Sequence, residues 1–358
     1  MLDELPYLAA ADTGFEGALQ NMFDRELSRR RVLLVGIGSD LSMMEALNAY
    51  GRPFHQRATE MVVPPLSPLE VGTMLQLEAA DAFDAYLVTG GLPLICAEWS
   101  PGLSLWGYLE EALAESTSAL LVSAERALAA EFPTEAQARE VLTTIGTGER
   151  TFTAIGRRAG GLPQASLNRS LKLLIDKRVV SFDEPLSTRS GSRDKRYRVA
   201  DPYLRFWLAF LGSHIGEVDR GRGDRVLARI QSSWSAWRGR AVEPVLRESL
   251  DRLSLGLGGE EGSSPVVGSY WTRTNVPEID VVVADKGPVA GAILGVGSIK
   301  WLEQQPFDGR DLNALVLHRA QLPGADGDTP LLVVSRSGCD VQGVRAYAPD
   351  ELLEAWRQ

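Results

Sequence analysis

The sequence predicts a multidomain α/β plus α chain. Three observations carry this. The chain has 358 residues and 44% apolar content, more than one hydrophobic core ordinarily organises and enough to fill several. Helical apolar spacing dominates the first half, whereas runs of β-branched and apolar residues dominate the last third. A basic island lies between them. Residues 150–198 hold twelve Lys and Arg against four Asp and Glu, a local +8, so the rest of a chain of net charge −10 sums to −18. This balance excludes wholesale coating of nucleic acid and leaves room for a local polyanion contact. Two cysteines, Cys96 and Cys339, exclude a disulfide framework and a Cys-based metal site. With an acidic rather than basic amino terminus, they point to a reducing cytoplasm. The longest apolar run, Ala85 to Ala97, is too short and too interrupted by Gly and Pro to span a bilayer, so no membrane association is expected.

The first region, 1–133, opens with an apolar residue and two acids, Leu2-Asp3-Glu4. Phe15 to Leu27 reads as an amphipathic helix, and Val32 to Ile37 as a buried strand ending in Gly38-Ser39-Asp40. Strands separated by a helix suggest a parallel sheet with its chemistry at the strand carboxyl ends. From Leu103 to Ala130, Leu105, Tyr108, Leu109, Leu113, Leu120, Leu121 and Leu128 keep helical spacing, with Trp106 expected in the core. Phe132-Pro133-Thr134 marks a boundary, with Thr134 as a helix cap.

Further segments follow in order: Met43-Met44-Glu45, Arg57-Ala58-Thr59-Glu60, Pro64-Pro65-Leu66 and Thr89-Gly90-Gly91-Leu92-Pro93. The whole order resembles the archaeal-type, or DEXX-box, ATPases, a branch of the AAA-related P-loop proteins. The resemblance implies that Leu2-Asp3-Glu4 ends a Walker B strand, with Asp3 supporting magnesium and Glu4 orienting the attacking water. It implies Ser39 as a sensor residue, Arg57 as a phosphate-sensing arginine and Gly-Gly-Leu-Pro in a helical lid; Gln56 stands where the family often has Gly. ATP and Mg2+ are the cofactors of the intact family. A P-loop needs Gly-x-x-x-x-Gly-Lys-Ser/Thr, whose amides and lysine hold the phosphates, and no such motif occurs in the chain. The expectation is a partial P-loop ATPase core that binds neither cofactor by itself, with Asp3 and Glu4 forming an acidic chain end.

Residues 134–200 read as a winged helix-turn-helix. Ala136 to Ile145 is its first helix, a short apolar-periodic segment follows Arg150, and Gly160-Gly161-Leu162-Pro163 breaks it. Ala165, Leu167, Leu171, Leu173 and Leu174 then give a helix with one buried face. Val179 to Phe182 and Arg196 to Val199 alternate as two short strands around a loop rich in Ser, Arg and Gly. In this motif the second helix of the pair enters the DNA major groove. The candidate contacts are Arg157, Arg158, Asn168, Arg169, Lys172, Arg189, Arg193, Lys195 and Arg196.

Residues 201–235 are a connector. Asp201-Pro202-Tyr203-Leu204-Arg205-Phe206-Trp207 resembles the same family's join between winged helix and C-terminal domain, its aromatics seating the domains together. Residues 236–358 begin with a helix from Trp237 to about Leu253, a glycine-rich loop from Gly256 to Ser264, hairpin-like strands with Asp280 on one, and Lys300 on the next. That is the layout of a PD-(D/E)xK, or restriction-endonuclease-like, α/β domain. In that chemistry an Asp and a second acid two residues before a Lys hold divalent metal, while the Lys activates water. Asp280, Lys300 and a helix acid, Glu243, are in place, with Asp280 and Glu243 as the metal ligands. Ser298 occupies the second acidic position, and a neutral hydroxyl is a poor magnesium ligand beside a carboxylate.

The leading expectation is therefore a DNA-binding protein with double-stranded DNA as its partner, an incomplete ATPase and a degenerate nuclease domain. In the full family architecture, nucleotide binding would move the winged helix against the nuclease-like domain. One alternative is a metal-dependent endonuclease using Asp280, Glu243 and Lys300; another is a scaffold for protein partners or an oligomer.

Overall fold

The computed structural model describes residues 1–38, 41–55, 57–132, 136–189, 194–253 and 265–357. The chain is a mixed α/β protein built as two compact units, Met1–Pro64 and Pro65–Gln358. Several sequence assignments fall outside the described residues: Ser39, Gln56, the cap at Thr134, Arg193 and the glycine-rich loop 256–264.

In the first unit, helices α1 (Leu5–Ala11), α2 (Phe15–Arg25) and α3 (Leu41–Leu47) close over a small core of Leu5, Leu19 and Leu47. The expected buried strand at Val32–Ile37 is extended but mostly exposed. One parallel bridge pairs Leu2 with Gly36, through Leu2 N–H donating to Val35 O and Ile37 N–H donating to Leu2 O, both at 2.8 Å. Leu33 is 84% exposed and Val32 50%, whereas Leu34 packs inward. An apolar run is buried only if neighbouring strands or helices cover both faces; here α1 and α2 cover one.

The second unit starts with five helices, α4 (Pro68–Leu75), α5 (Ala79–Thr89), α6 (Pro93–Ala97), α7 (Leu105–Ala114) and α8 (Ala119–Glu131). Ser67 and Glu70 form a capping box that starts α4. Gly90 and Gly91 turn the chain between α5 and α6 at positive φ, and a Cβ on Gly91 would lie 1.9 Å from the Leu66 carbonyl oxygen. The helices at 105–114 and 119–131 lie where apolar spacing places them. Trp106 packs edge-on against Trp234 at 5.7 Å.

Helices α9 (Ala136–Gly146), α10 (Phe152–Arg158) and α11 (Gln164–Asp176) follow, then an antiparallel ribbon of β1 (Val180–Asp183) and β2 (Arg196–Val199). Thr151 caps α10, and Gly160 and Gly161 at φ 74° and 71° make the turn into α11. Val141, Leu142, Ile155, Leu167, Leu171 and Leu174 bury one continuous core. Helix α12 (Pro202–Phe210) is capped by Asp201 and anchored to α8: Tyr203 Oη donates to Leu120 O at 2.9 Å and Trp207 Nε1 to Leu121 O at 2.8 Å.

After α13 (Ile215–Val218), helix α14 runs unbroken from Gly223 to Arg252, starting well before the predicted Trp237. Val226, Ile230 and Trp234, four residues apart and buried, extend its stripe upstream. A five-stranded mixed sheet follows in the order β3 (Val266–Trp271), β4 (Glu278–Ala284), β5 (Ile293–Lys300), β6 (Leu331–Ser335), β7 (Arg345–Tyr347). The first three strands are antiparallel; β6 joins β5 in parallel after α15 (Gly309–Arg319), and β7 joins β6 in parallel. Helices α5, α14 and α16 (Pro349–Glu354) cover one face through Phe83, Val242, Leu246, Trp301 and Leu352. The other face buries Val282, Val296, Phe307, Leu315 and Val333.

A buried ionic node joins α5, α14 and the sheet. Asp84, 3% exposed, receives Arg238 Nη1 at 2.9 Å and Arg336 Nη1 at 3.0 Å, and Trp301 Nε1 at 3.3 Å. Arg238, 1% exposed, also reaches Glu303 at 2.9 Å and the Trp301 carbonyl at 3.2 Å. Burial of this kind is tolerated only when each charge has its partner. Among the described residues no helix is long and apolar enough to cross a membrane.

Candidate functional site

Helix α11 turns Leu167, Leu171 and Leu174 inward, which leaves Asn168, Arg169 and Lys172 together on the exposed side. Arg157 and Arg158 are exposed at the carboxyl end of α10. Arg158 pairs with Glu149 at 3.1 Å, an exposed contact that holds the charge only weakly. Among the described residues, Arg157, Arg169 and Lys172 have no ion-pair partner. These cations are free to meet an external polyanion.

The ribbon is different. Arg196 is only 11% exposed: it pairs with Glu278 at 2.5 Å, donates to Asn275 at 2.6 Å, and stacks over Trp271 at 4.4 Å. Lys195 lies over the Phe182 ring at 3.8 Å and pairs with Glu184 at 3.4 Å. The segment after β1 lies along the edge strand β3. Leu186 is buried in the sheet's core and its N–H donates to Ser269 O at 2.9 Å. Trp271 Nε1 donates to Asp194 O at 2.9 Å. Of the loop cations, Arg189 is exposed and Arg193 lies outside the described residues. The ribbon's charge thus serves docking onto the sheet. Sequence reading missed this because Arg196 and Trp271 are 75 positions apart.

The carboxylates expected for metal lie at this docking surface. Asp280 Oδ2 accepts from Ser298 Oγ at 3.0 Å and from Ile299 N–H at 2.9 Å. Burial pushes the Asp280 carboxyl above its usual range. Glu243, on α14, is pushed up to about 7, first by burial and then by the nearby Asp280 charge. Arg247 reaches the Asp280 carbonyl at 3.0 Å, Glu243 at 3.6 Å and Asp183 at 3.6 Å. Lys300 does not join them; its ammonium pairs with Asp311 on α15. Glu243 and Asp280 line one cleft, and the Lys300 ammonium is committed to Asp311.

Six arginines, Arg150, Arg196, Arg198, Arg205, Arg240 and Arg247, line the cleft around these two carboxylates. A divalent cation needs ionised oxygens and open lone pairs. One Asp280 oxygen is taken by two donors, burial holds the Glu243 carboxyl up at about 7, and the surrounding charge is positive. Among the described residues no group of three or more His, Cys, Asp or Glu converges as a metal site. The residues present do not fit a catalytic Mg2+.

The residues assigned by resemblance to nucleotide chemistry are held by local partners. Asp3 Oδ1 accepts from Glu4 N–H at 3.1 Å, and Glu4 precedes α1 with exposed, left-handed backbone. Arg57 pairs with Asp24. Ser39 lies outside the described residues.

Residues 207–311 match the model of DUF234, described as archaeal and bacterial proteins of unknown function. That span covers the end of α12, α14, strands β3 to β5 and the start of α15, and so includes Glu243, Asp280 and Lys300. An uncharacterized protein of Methanocaldococcus jannaschii is 21% identical over 331 residues, covering 91% of this chain and 72% of the relative. No solved structure matches.

Proposed function

We propose that this chain is a duplex-DNA-binding protein related to the archaeal-type ATPases, with α9–α11 and the β1–β2 ribbon forming a winged helix whose reading element is α11. The observation that carries this reading is the exposed set Asn168, Arg169 and Lys172 on one side of α11, with Arg157 beside it and no carboxylate paired to these cations among the described residues. Asn can read adenine and Arg guanine edges, while Lys and the α10 arginines hold phosphates. The ribbon contributes position rather than charge, because Arg196 and Lys195 are committed to the sheet and to Glu184.

In this reading the C-terminal sheet is a restriction-endonuclease-like domain that does not cleave. Ser298 in the second acidic position, and Lys300 turned to Asp311, support that. The test is fluorescence anisotropy of a labelled duplex at low salt. The wild-type chain is expected to bind; Arg169→Ala with Lys172→Ala is expected to weaken binding at least tenfold while the circular dichroism spectrum is unchanged. Equal affinity in the double variant would transfer the role to a protein partner.

A further inference from the structure

We propose that the cleft between the ribbon, α12, α14 and β4 binds a phosphate-class oxyanion, held by the guanidinium groups of Arg150, Arg205 and Arg240. Of the six arginines lining the cleft, three are already matched: Arg196 by Glu278 at 2.5 Å, Arg198 by Asp183 at 3.4 Å, and Arg247 by Asp183 and Glu243 at 3.6 Å. The other three are not. Arg150 comes no nearer than 4.0 Å to Glu278, a carboxylate already held by Arg196. Among the described residues, Arg205 donates to backbone carbonyls, those of Arg240 at 3.1 Å and Ala241 at 3.5 Å, and pairs with no carboxylate. Arg240 is exposed and, among the described residues, has no ion-pair partner.

The six arginines outnumber the four carboxylates of the cleft, Asp183, Glu243, Glu278 and Asp280; an excess of like charge is unfavourable, and a bound anion removes the penalty. The Arg205 guanidinium registers it: burial first, and then Arg198, Arg150 and Arg240 against the pull of Glu243, bring it down to about 10. Guanidinium forks match the oxygens of a tetrahedral oxyanion in pairs. The two carboxylates at the cleft floor do not oppose this strongly. Asp280 is capped by Ser298 and Ile299 N–H, and Glu243 is half protonated near neutrality. The site therefore takes an anion where the fold would otherwise suggest a cation. This inference does not depend on duplex reading by α11, whose cations line no part of the cleft.

The test is thermal unfolding and calorimetric titration of the full chain with sulfate and with inorganic phosphate, ionic strength held constant with chloride. Both anions are expected to raise the unfolding temperature saturably. Arg150→Ala and Arg240→Ala, at exposed or half-exposed positions, are each expected to weaken binding about tenfold, from the loss of a charge-assisted hydrogen bond. Arg240→Lys recovers part of it, and Arg169→Ala with Lys172→Ala leaves it unchanged. Competition with a dinucleotide separates the sources: displacement only by its 5′-phosphorylated form marks a terminal phosphate, displacement by both forms a phosphodiester, and displacement by neither a free phosphate. A response no greater than that to chloride would overturn the proposal. So would equal binding in the Arg150 and Arg240 variants, or stabilisation by Mn2+ with none by sulfate.

Discussion

Salt dependence gives the sharpest test of the proposed DNA-binding surface, because it counts charges. Four cations stand on the exposed α10–α11 face, and Arg158 shares its charge with Glu149. Three or four released counterions correspond to a slope of log affinity against log salt of roughly −2.7 to −3.6. Raising salt from about 50 to 200 mM should then weaken binding by roughly 40- to 150-fold. Arg169→Ala with Lys172→Ala removes two of these charges and should flatten the slope by about 1.8. The contrasting pair is Lys195→Ala with Arg196→Ala. Sequence alone ranks these two equally with Arg169 and Lys172, but both are engaged within the fold. Their loss should leave the slope unchanged while lowering thermal stability, since Arg196 bonds Glu278 and Asn275 across the docking surface. Anisotropy titrations at four or five salt concentrations measure both slopes. If the helix pair leaves the slope unaltered, or the ribbon pair flattens it, the placement of the reading face on α11 is wrong.

Three further predictions follow from particular side chains. Among the described residues, Asp84→Ala leaves Arg238 and Arg336 with Glu303 and Asp81 as their carboxylates, which are 57% and 59% exposed, and should cost about 3–5 kcal/mol in a urea titration. Glu243 sits near 7 when folded against an ordinary value of 4.5, so its contribution is fully present below about pH 4.5 and is lost as pH rises through 7. With the side chain 24% exposed, that contribution is on the order of 1–3 kcal/mol, and Glu243→Gln should flatten the fall in unfolding free energy between pH 5 and 8. Supercoiled plasmid incubated with Mg2+ or Mn2+ should stay intact; nicking abolished by Asp280→Ala would restore the endonuclease reading.

Local sequence carried much of the architecture. The spacing of Leu105, Tyr108, Leu109 and Leu113 makes a helix, since 3.6-residue periodicity needs no distant partner. The Gly160-Gly161-Leu162-Pro163 break and the alternation at Arg196–Val199 likewise mark the turn and the ribbon from chemistry within a few residues. The upstream start of α14 was also legible, in Val226, Ile230 and Trp234, but was obscured by the glycines and arginines before them. The run Val32–Ile37 reads as buried in isolation because hydropathy says what a segment prefers, and burial depends on what covers it.

By itself, then, the sequence determined which segments coil and which extend, and that positive charge gathers in residues 150–198. Tertiary structure alone decided where that charge points. Arg169 and Arg196 are equivalent as letters, yet one faces solvent from an α11 whose leucines are satisfied behind it, and the other is seated on Trp271 and Glu278. Lys300 is likewise taken by Asp311, a residue on a later helix. Charges are long side chains with many reachable partners, and the partner chosen depends on which distant elements the core brings within a few ångströms.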